Sequence, residues 1–551
     1  MRSLRVIPLV LVLAVAARAA LADHAPAKGA KDEPPPALMD NLGSHEHKIT
    51  CADPLAQQYF NQGLRLMYGF NHAEAIRAFR AASVIDPDCA MAQWGIAIAL
   101  GPNYNLAADE QQAKDAYAAV QQAKKLAAGA TPKEAAYIEA LALRYADPPP
   151  EDRKPLDEAY AAAMRKVAER FPDDLDAVTL FAESLMDLRP WKLWMHDGKP
   201  EPGTEEIVAT LERVLAKNPN HPGANHFYIH AVEASLAPER ALPCAQRLGG
   251  LMPGAGHMVH MPAHIYFRLG RFREASVSNE HAIAADEAYI AKSKPEGPYP
   301  MMYYPHNIHF LWAALTMEGR GEDAIRRATE VTRKVPYEMV KKMPMVEAFP
   351  PTRTFALLRF GKWDDVLKEQ APDPEFTYAT GIWHYARGLA YAAHHLRPEA
   401  DAELKKLREI QAAMPEEKMA MQHHARDLLA IAVHHLDATL LAQSGEVDQA
   451  AEKLRAAIAQ QDALQYDEPP PWYLPMRQPL GRLYLEAKRP ADAEQAFRDD
   501  LQKYPENGWS LWGLEQSLRA QNRTAEAGAV HERFAKAWPS ADVDLTLTSR
   551  P

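Results

Sequence analysis

One spacing recurs along the chain: a small residue, an Ala twelve later, an apolar residue four further on, another three further, and a Pro five beyond. Gly63, Ala75, Phe79, Ala82 and Pro87 fill it throughout. The register returns as Gly481, Tyr484, Ala493, Phe497 and Pro505, with Pro539 following 34 residues after Pro505. Ala241, Ala245, Leu248 and Pro253 supply the second half of another copy, and Ala263, Tyr266, Gly270, Ala275 and Ala282 a further one. Such a period describes two short antiparallel helices per unit, with small residues where the backbones cross and Pro stopping the second helix. One pair cannot bury its apolar faces alone, whereas stacked pairs bury them against each other, so the pattern predicts an all-α solenoid with a concave side. Weaker copies fall around Trp312, Gly319, Ala324 and Pro336, around Gly388, Tyr391 and Ala400, and around Gly445, Ala450 and Ala457. Together they predict eight to ten helix-turn-helix units over residues 46–545.

Two stretches break the period. Between Leu188 and Gly203 the chain inserts Trp191, Trp194 and His196, and residues 290–304 add a run that ends in Tyr303 and Tyr304. Both are expected to be loops in the middle of the solenoid, either lids or groove walls over a site or surface decoration.

With 551 residues, 47% of them hydrophobic, the chain can bury a large core, which excludes disorder and a disulfide-dependent miniprotein. The 73 acidic and 62 basic residues give a net charge of −11, and no basic run interleaved with aromatics marks a nucleic-acid surface. Arg2 and Arg5 precede an apolar stretch, Val6 to Ala17, that is too short to span a bilayer comfortably, and Ala20-Leu21-Ala22 follows it. Residues 1–22 are therefore expected to be a signal peptide cleaved near Ala22. The mature protein is then periplasmic or secreted, with no transmembrane segment, and residues 23–45 form a Pro, Ala and Lys-rich flexible leader. Of three cysteines, Cys51 and Cys89 bracket the first helical hairpin and are expected to be bridged, while Cys244 is core filler.

The most discriminating feature is a line of histidines. Numbered from Pro222, Gly256 and Pro305, three units place His at equivalent positions: His257 and His306 at position 2, His226, His260 and His309 at position 5, His230 and His264 at position 9. Positions three, four and seven apart share one stripe of a helix, and these seven side chains should converge where neighbouring helices stack about 8–10 Å apart. Converging imidazoles are ligands for a transition metal, with zinc and copper the expected ions, and Met258 and Met261 would favour copper if turned inward. The preceding unit, from Leu175, offers Asp176 at position 2 and Glu183 at position 9, so that a carboxylate from Asp176, Glu183 or Glu233 could support the site. The pairs His394-His395, His423-His424 and His434-His435 are expected mostly on solvated surface.

The stretches 63–75, 86–95, 101–105, 260–266 and 306–311 resemble a family of bacterial exported tetratricopeptide-repeat proteins. The resemblance implies a right-handed superhelical solenoid, export, and a stripe that faces the concave groove; it transfers no activity and no catalytic residue. Trp94, Gly101, Asn103 and Asn105 fall in it as a candidate further lining patch, with core packing the alternative for Trp94. No His-Glu-x-x-His pair, Gly-x-Ser-x-Gly elbow or phosphate loop is present. Three functions follow: a His-rich face binding a transition metal (Cu or Zn) or a metal-dependent ligand, a scaffold whose groove binds a peptide or protein partner without metal, and a metal-dependent enzyme.

Overall fold

A computed structural model describes residues 35–545. The expected signal peptide and the first part of the expected leader lie outside the described residues. The chain divides into two compact units, Glu33–Ala314 and Leu315–Pro551. In the first, six helix pairs succeed one another. They are α1 (Pro54–Tyr68) with α2 (His72–Ile85), α3 (Ala90–Ala99) with α4 (Glu110–Leu126), α5 (Pro132–Ala142) with α6 (Lys154–Arg170), α7 (Leu175–Met186) with α8 (Thr204–Lys217), α9 (Pro222–Val232) with α10 (Leu242–Leu251), and α11 (Gly256–His260) plus α12 (Pro262–Arg268) with α13 (Phe272–Ser293). α14 (Tyr304–Met317) follows.

The second unit carries α15 (Gly321–Lys334) and α16 (Tyr337–Lys342), and then five pairs. These are α17 (Thr352–Arg359) with α18 (Trp363–Lys368), α19 (Thr377–Ala393) with α20 (Arg397–Ala413), α21 (Ala425–Gln443) with α22 (Val447–Asp462), α23 (Arg477–Glu486) with α24 (Pro490–Lys503), and α25 (Gly508–Ala520) with α26 (Thr524–Ala537). Among the described residues the only β ladder is β1 (Met419–Ala420) with β2 (His423–His424). Each unit is thus an all-α succession of helical hairpins, the fold its repeat requires.

The repeat residues show why. The Phe79 ring lies in a notch made by Gly63 of its own hairpin and Gly95 of the next helix, where an added Cβ would stand 2.6 and 2.4 Å from the ring. Phe497 fills the same notch between Gly481 and Gly513, at 2.7 and 2.3 Å. A side chain at any of these glycines would push apart helices that must touch. Local signals set the ends. Asp109 with Gln112 and Thr131 with Glu134 form capping boxes on α4 and α5. Pro262, which has no N–H to give to the ladder, splits what would be one helix into α11 and α12.

Several expectations change. The first unit closes on itself: α9 packs against α1, and a Cβ on Gly223 would stand 2.5 Å from the Tyr68 ring. The inner face of α9 is therefore covered by the end of α1 instead of facing an open groove. The described part of the expected flexible leader is held in place. Leu42 is fully buried, the Met39 N–H donates to Gln62 (2.8 Å), the Tyr59 hydroxyl donates to the Pro36 carbonyl (3.0 Å), and the Gly254 N–H donates to the Asn41 carbonyl (2.8 Å).

The loop expected at residues 290–304 is partly helix, since α13 runs on to Ser293 and a π turn, Tyr299–Tyr303, leads straight into α14. Cys51 and Cys89 are free thiols, and the Cys51 thiol is turned to donate to the Asp53 carbonyl (3.6 Å). Cys244 is buried in α10, as expected of core filler. His423 and His435 are buried, unlike the exposed His394, His395 and His424; the Tyr385 hydroxyl and His435 Nδ1 lie 2.7 Å apart. No helix among the described residues is long and apolar enough to cross a membrane.

Candidate metal centre: two adjacent histidine triads

Six of the seven predicted histidines meet, and they meet as two groups of three. His226 and His230 of α9 join His257 of α11, and His260 and His264 join His306 of α14. Each group takes positions 5 and 9 of one unit with position 2 of the next. The stagger of stacked helices brings the start of one helix level with the middle of its predecessor, so the same register builds the site twice. His309, also at position 5, has no histidine four residues on, because residue 313 is Ala; it lies against Trp312, ring centroids 5.3 Å apart, outside both triads.

The first triad is fully interior. His226 Nε2 and His257 Nε2 are 3.1 Å apart, and His230 Nε2 is buried with no hydrogen-bond partner. In the second, His260 Nε2 lies 2.8 Å from His264 Nε2 and 3.1 Å from His306 Nε2, and the His306 side is half-buried. The two triads are neighbours: the His230 and His264 ring centroids are 5.7 Å apart, and those of His257 and His260 5.9 Å.

The opposite edges of these rings determine where the protons sit. His226 Nδ1 lies 2.6 Å from the Tyr68 carbonyl, which can only accept, so Nδ1 carries the proton. His230 Nδ1 and His264 Nδ1 donate to the two oxygens of Glu233, at 2.9 and 2.5 Å. His260 Nδ1 donates to Asn279 Oδ1 (2.7 Å), since the Asn279 amide group is committed to the Ala275 carbonyl. Glu233 is ionised: burial works against its charge, but the His264 and His230 imidazoles hold its carboxyl down at about 2. Four of the six rings thereby hold a proton at Nδ1, which turns Nε2 of each toward its triad.

Burial, with the neighbouring imidazoles second, pushes His226, His257, His260 and His306 well below the ordinary histidine value. His230 is lowered by the same burial, against the pull of Glu233. Burial thus favours the neutral form of these five rings, which is the form a metal binds.

Aromatic rings wall the first triad. Phe70 stacks on His257 (5.4 Å) and meets His226 edge-on (4.5 Å), Tyr104 and Trp191 approach His230 at 5.1 and 5.8 Å, and Tyr303 stands 4.9 Å from His257. Phe310 lies on the second triad, stacked on His264 at 5.2 Å. Trp191 and Tyr303 thus sit where the sequence placed a wall, and Asn105 of the further lining patch donates to the Tyr303 hydroxyl (3.3 Å). Three other candidates do not: His196 is exposed, Trp194 is an anchor whose indole N–H donates to the Ala231 carbonyl (2.7 Å), and the Tyr304 hydroxyl donates to Glu287 (2.9 Å). Phe70 and Tyr104 were not singled out by sequence; both stand in loops, where periodicity carries no signal. Met258 lies against Gly69.

The three predicted carboxylates separate. Glu233 bridges the triads. Glu183 belongs to a buried cluster with Asp187 and Arg144, and burial raises it to about 8. Asp176 is the centre of a second histidine cluster, in which its oxygens lie 2.9 Å from His45 Nε2, 2.7 Å from His47 Nδ1, 3.2 Å from His221 Nε2 and 2.6 Å from the Tyr68 hydroxyl. His221 Nδ1 accepts from the Ala224 N–H, so Nε2 holds the proton and gives it to Asp176. That ring spends its proton on the carboxylate and keeps no lone pair for an ion. His45 falls at the end of the segment read as a leader, and for that reason the cluster is invisible to the repeat pattern.

No protein-family model and no curated protein matches the chain. Among solved structures, the human IFIT1 dimer with PPP-AAAA aligns over 86% of this chain and 88% of its own, at 14% identity and a TM-score of 0.33. Yeast Tom70 aligns over 90% and 93%, at 12% identity and 0.27, and the APC/C hetero-tetramer Cut9-Hcn1 over 90% and 89%, at 10% identity and 0.29.

Proposed function

We propose that this protein binds two transition-metal ions, one in each histidine triad, and that monovalent copper is the preferred occupant. The observation that carries the reading is the convergence of six imidazoles as two sets of three, the ligand nitrogens of each set lying within 4.8 Å of one another. His260 Nε2 stands 2.8 Å from His264 Nε2 and 3.1 Å from His306 Nε2, where nitrogen lone pairs repel unless a cation lies between them. Burial drives His260 and His306 well below the ordinary histidine value, which works against a proton in that role. A metal ion replaces the repulsion with two bonds, at separations close to the roughly 3.3 Å expected of imidazoles sharing one ion at 2.0–2.1 Å.

Charge separates copper from zinc. Taking the two centres as about 6 Å apart, two dications repel by about 11 kcal/mol at an effective dielectric of 20, and two monocations by about 3 kcal/mol. The single carboxylate of Glu233 bridges the triads from the far edges of the rings. Three neutral imidazoles in an aromatic enclosure also suit a soft, low-charge ion better than a hard one. The expected export signal supports a place of action outside the cytoplasm.

The test is the metal content of protein purified from the periplasm and of metal-free protein re-exposed to copper(I) or zinc under anaerobic conditions. Two coppers per chain, held more tightly than zinc, is the expected result. A chain that takes up neither ion is a helical-repeat protein whose histidines are a buried structural network, and the proposal is then wrong.

A further inference from the structure

The geometry points to a single dinuclear copper centre that reduces dioxygen by two electrons, an inference that rests on copper occupying both triads. Each triad offers an ion three imidazoles, one fewer than the four ligands of a closed tetrahedral site. The triads are neighbours, with His230 and His264 ring centroids 5.7 Å apart and those of His257 and His260 5.9 Å apart, so that two ions would share one enclosure. Phe70, Tyr104, Trp191, Tyr303 and Phe310 pack around the six rings and keep bulky molecules out, and the half-buried His306 marks the side nearest solvent.

Hydrolysis fits the same pocket poorly. A hydrolytic centre needs a base beside the metal-bound water, and both oxygens of Glu233, the carboxylate that bridges the triads, are engaged by the Nδ1–H groups on the far edges of the rings. Electron transfer needs no such base. Each copper(I) gives one electron and becomes copper(II), dioxygen takes both and reaches the level of peroxide, and two protons from solvent release it as hydrogen peroxide. The balance is two copper(I), one dioxygen and two protons in, two copper(II) and one hydrogen peroxide out.

The experiment uses the full chain, stripped of metal and loaded anaerobically with two equivalents of copper(I), whose retention is read against a chromophoric copper(I) chelator. Air-saturated buffer is then added. The expected result is one dioxygen consumed per two coppers, a new near-ultraviolet charge-transfer band, and an electron paramagnetic resonance intensity far below two spins per chain, because neighbouring copper(II) ions couple. His226→Ala should retain one copper and consume little dioxygen, and it should stay silent in electron paramagnetic resonance, because a lone copper(I) without a partner to give the second electron remains copper(I). Retention of two coppers with two independent spins, or with no dioxygen uptake, overturns the dinuclear inference while leaving the binding proposal standing. Failure to retain copper at all overturns both.

Discussion

Glu233 and Asp176 are both buried carboxylates ringed by histidines, yet the protons around them point in opposite senses. At Glu233 the donors are Nδ1–H groups, and the Nε2 atoms of the same rings point into the triads; at Asp176 the His221 proton is on Nε2 and ends on the carboxylate. One acid orients rings of the two triads, and the other gathers hydrogen bonds onto itself. Glu233→Gln puts an amide N–H against an imidazole N–H, so one ring must turn, and metal affinity should fall about 10- to 100-fold in a chain that still folds; titration against a competing chelator checks this. Asp176→Ala strands four donors and should cost about 3–5 kcal/mol in urea unfolding, with two metals per chain still bound. Loss of a metal in that variant would mean that the Asp176 cluster is part of the site.

Glu183 gives a pH signature of its own. Burial raises its carboxyl from 4.5 to about 8, with Asp187 adding to the rise and Arg144 opposing it. Between those values the unfolded chain has released a proton that the folded chain keeps, so the unfolded state binds fewer protons and stability falls as pH rises through that window. Glu183→Gln should flatten that fall, read as the urea midpoint at pH 5 and pH 8.5. An unchanged slope would assign it to other groups.

At the scale of helices, much of the architecture was legible and some was not. The notch residues Gly63 with Phe79 and Gly481 with Phe497 identify the hairpins because a close crossing leaves no alternative to a small residue. The partner glycines Gly95 and Gly513 went unread, since each belongs to the neighbouring pair and the pattern was sought within one. Gly513→Ala should therefore destabilise the chain by about 1–3 kcal/mol through the Phe497 ring, with thermal unfolding as the measure. The α5–α6 pair escaped the pattern, because an Ala-rich pair without Gly at its crossing resembles any amphipathic helix.

The histidine stripe was legible as a register but not as a division into two. His257 follows His230 by 27 residues and His306 follows His264 by 42, and the 15-residue difference is the length of segment 290–304. The inserted segment thus keeps the register of the site while supplying Tyr303 as part of its wall. His309 shared the stripe and fell outside, because a triad needs positions 5 and 9 together.

On the scale of the whole molecule, every cluster of metal-binding character among the described residues lies in the unit Glu33–Ala314. The closing of that unit, α9 against α1, turns a concave stripe into a dry interior, and no periodicity announces it because the contact joins residues more than 150 positions apart, as between Tyr68 and His226. Burial matters to the chemistry: it lowers the proton affinity of His226, His257, His260 and His306 and so favours the neutral form that a metal would bind. The decisive measurement is the copper(I) stoichiometry of three chains under anaerobic chelator competition: the parent, His226→Ala and His260→Ala. The expected values are two, one and one, with each variant retaining the helical content of the parent. No bound copper in the folded parent, or two in either variant, would contradict the assignment of one ion to each triad.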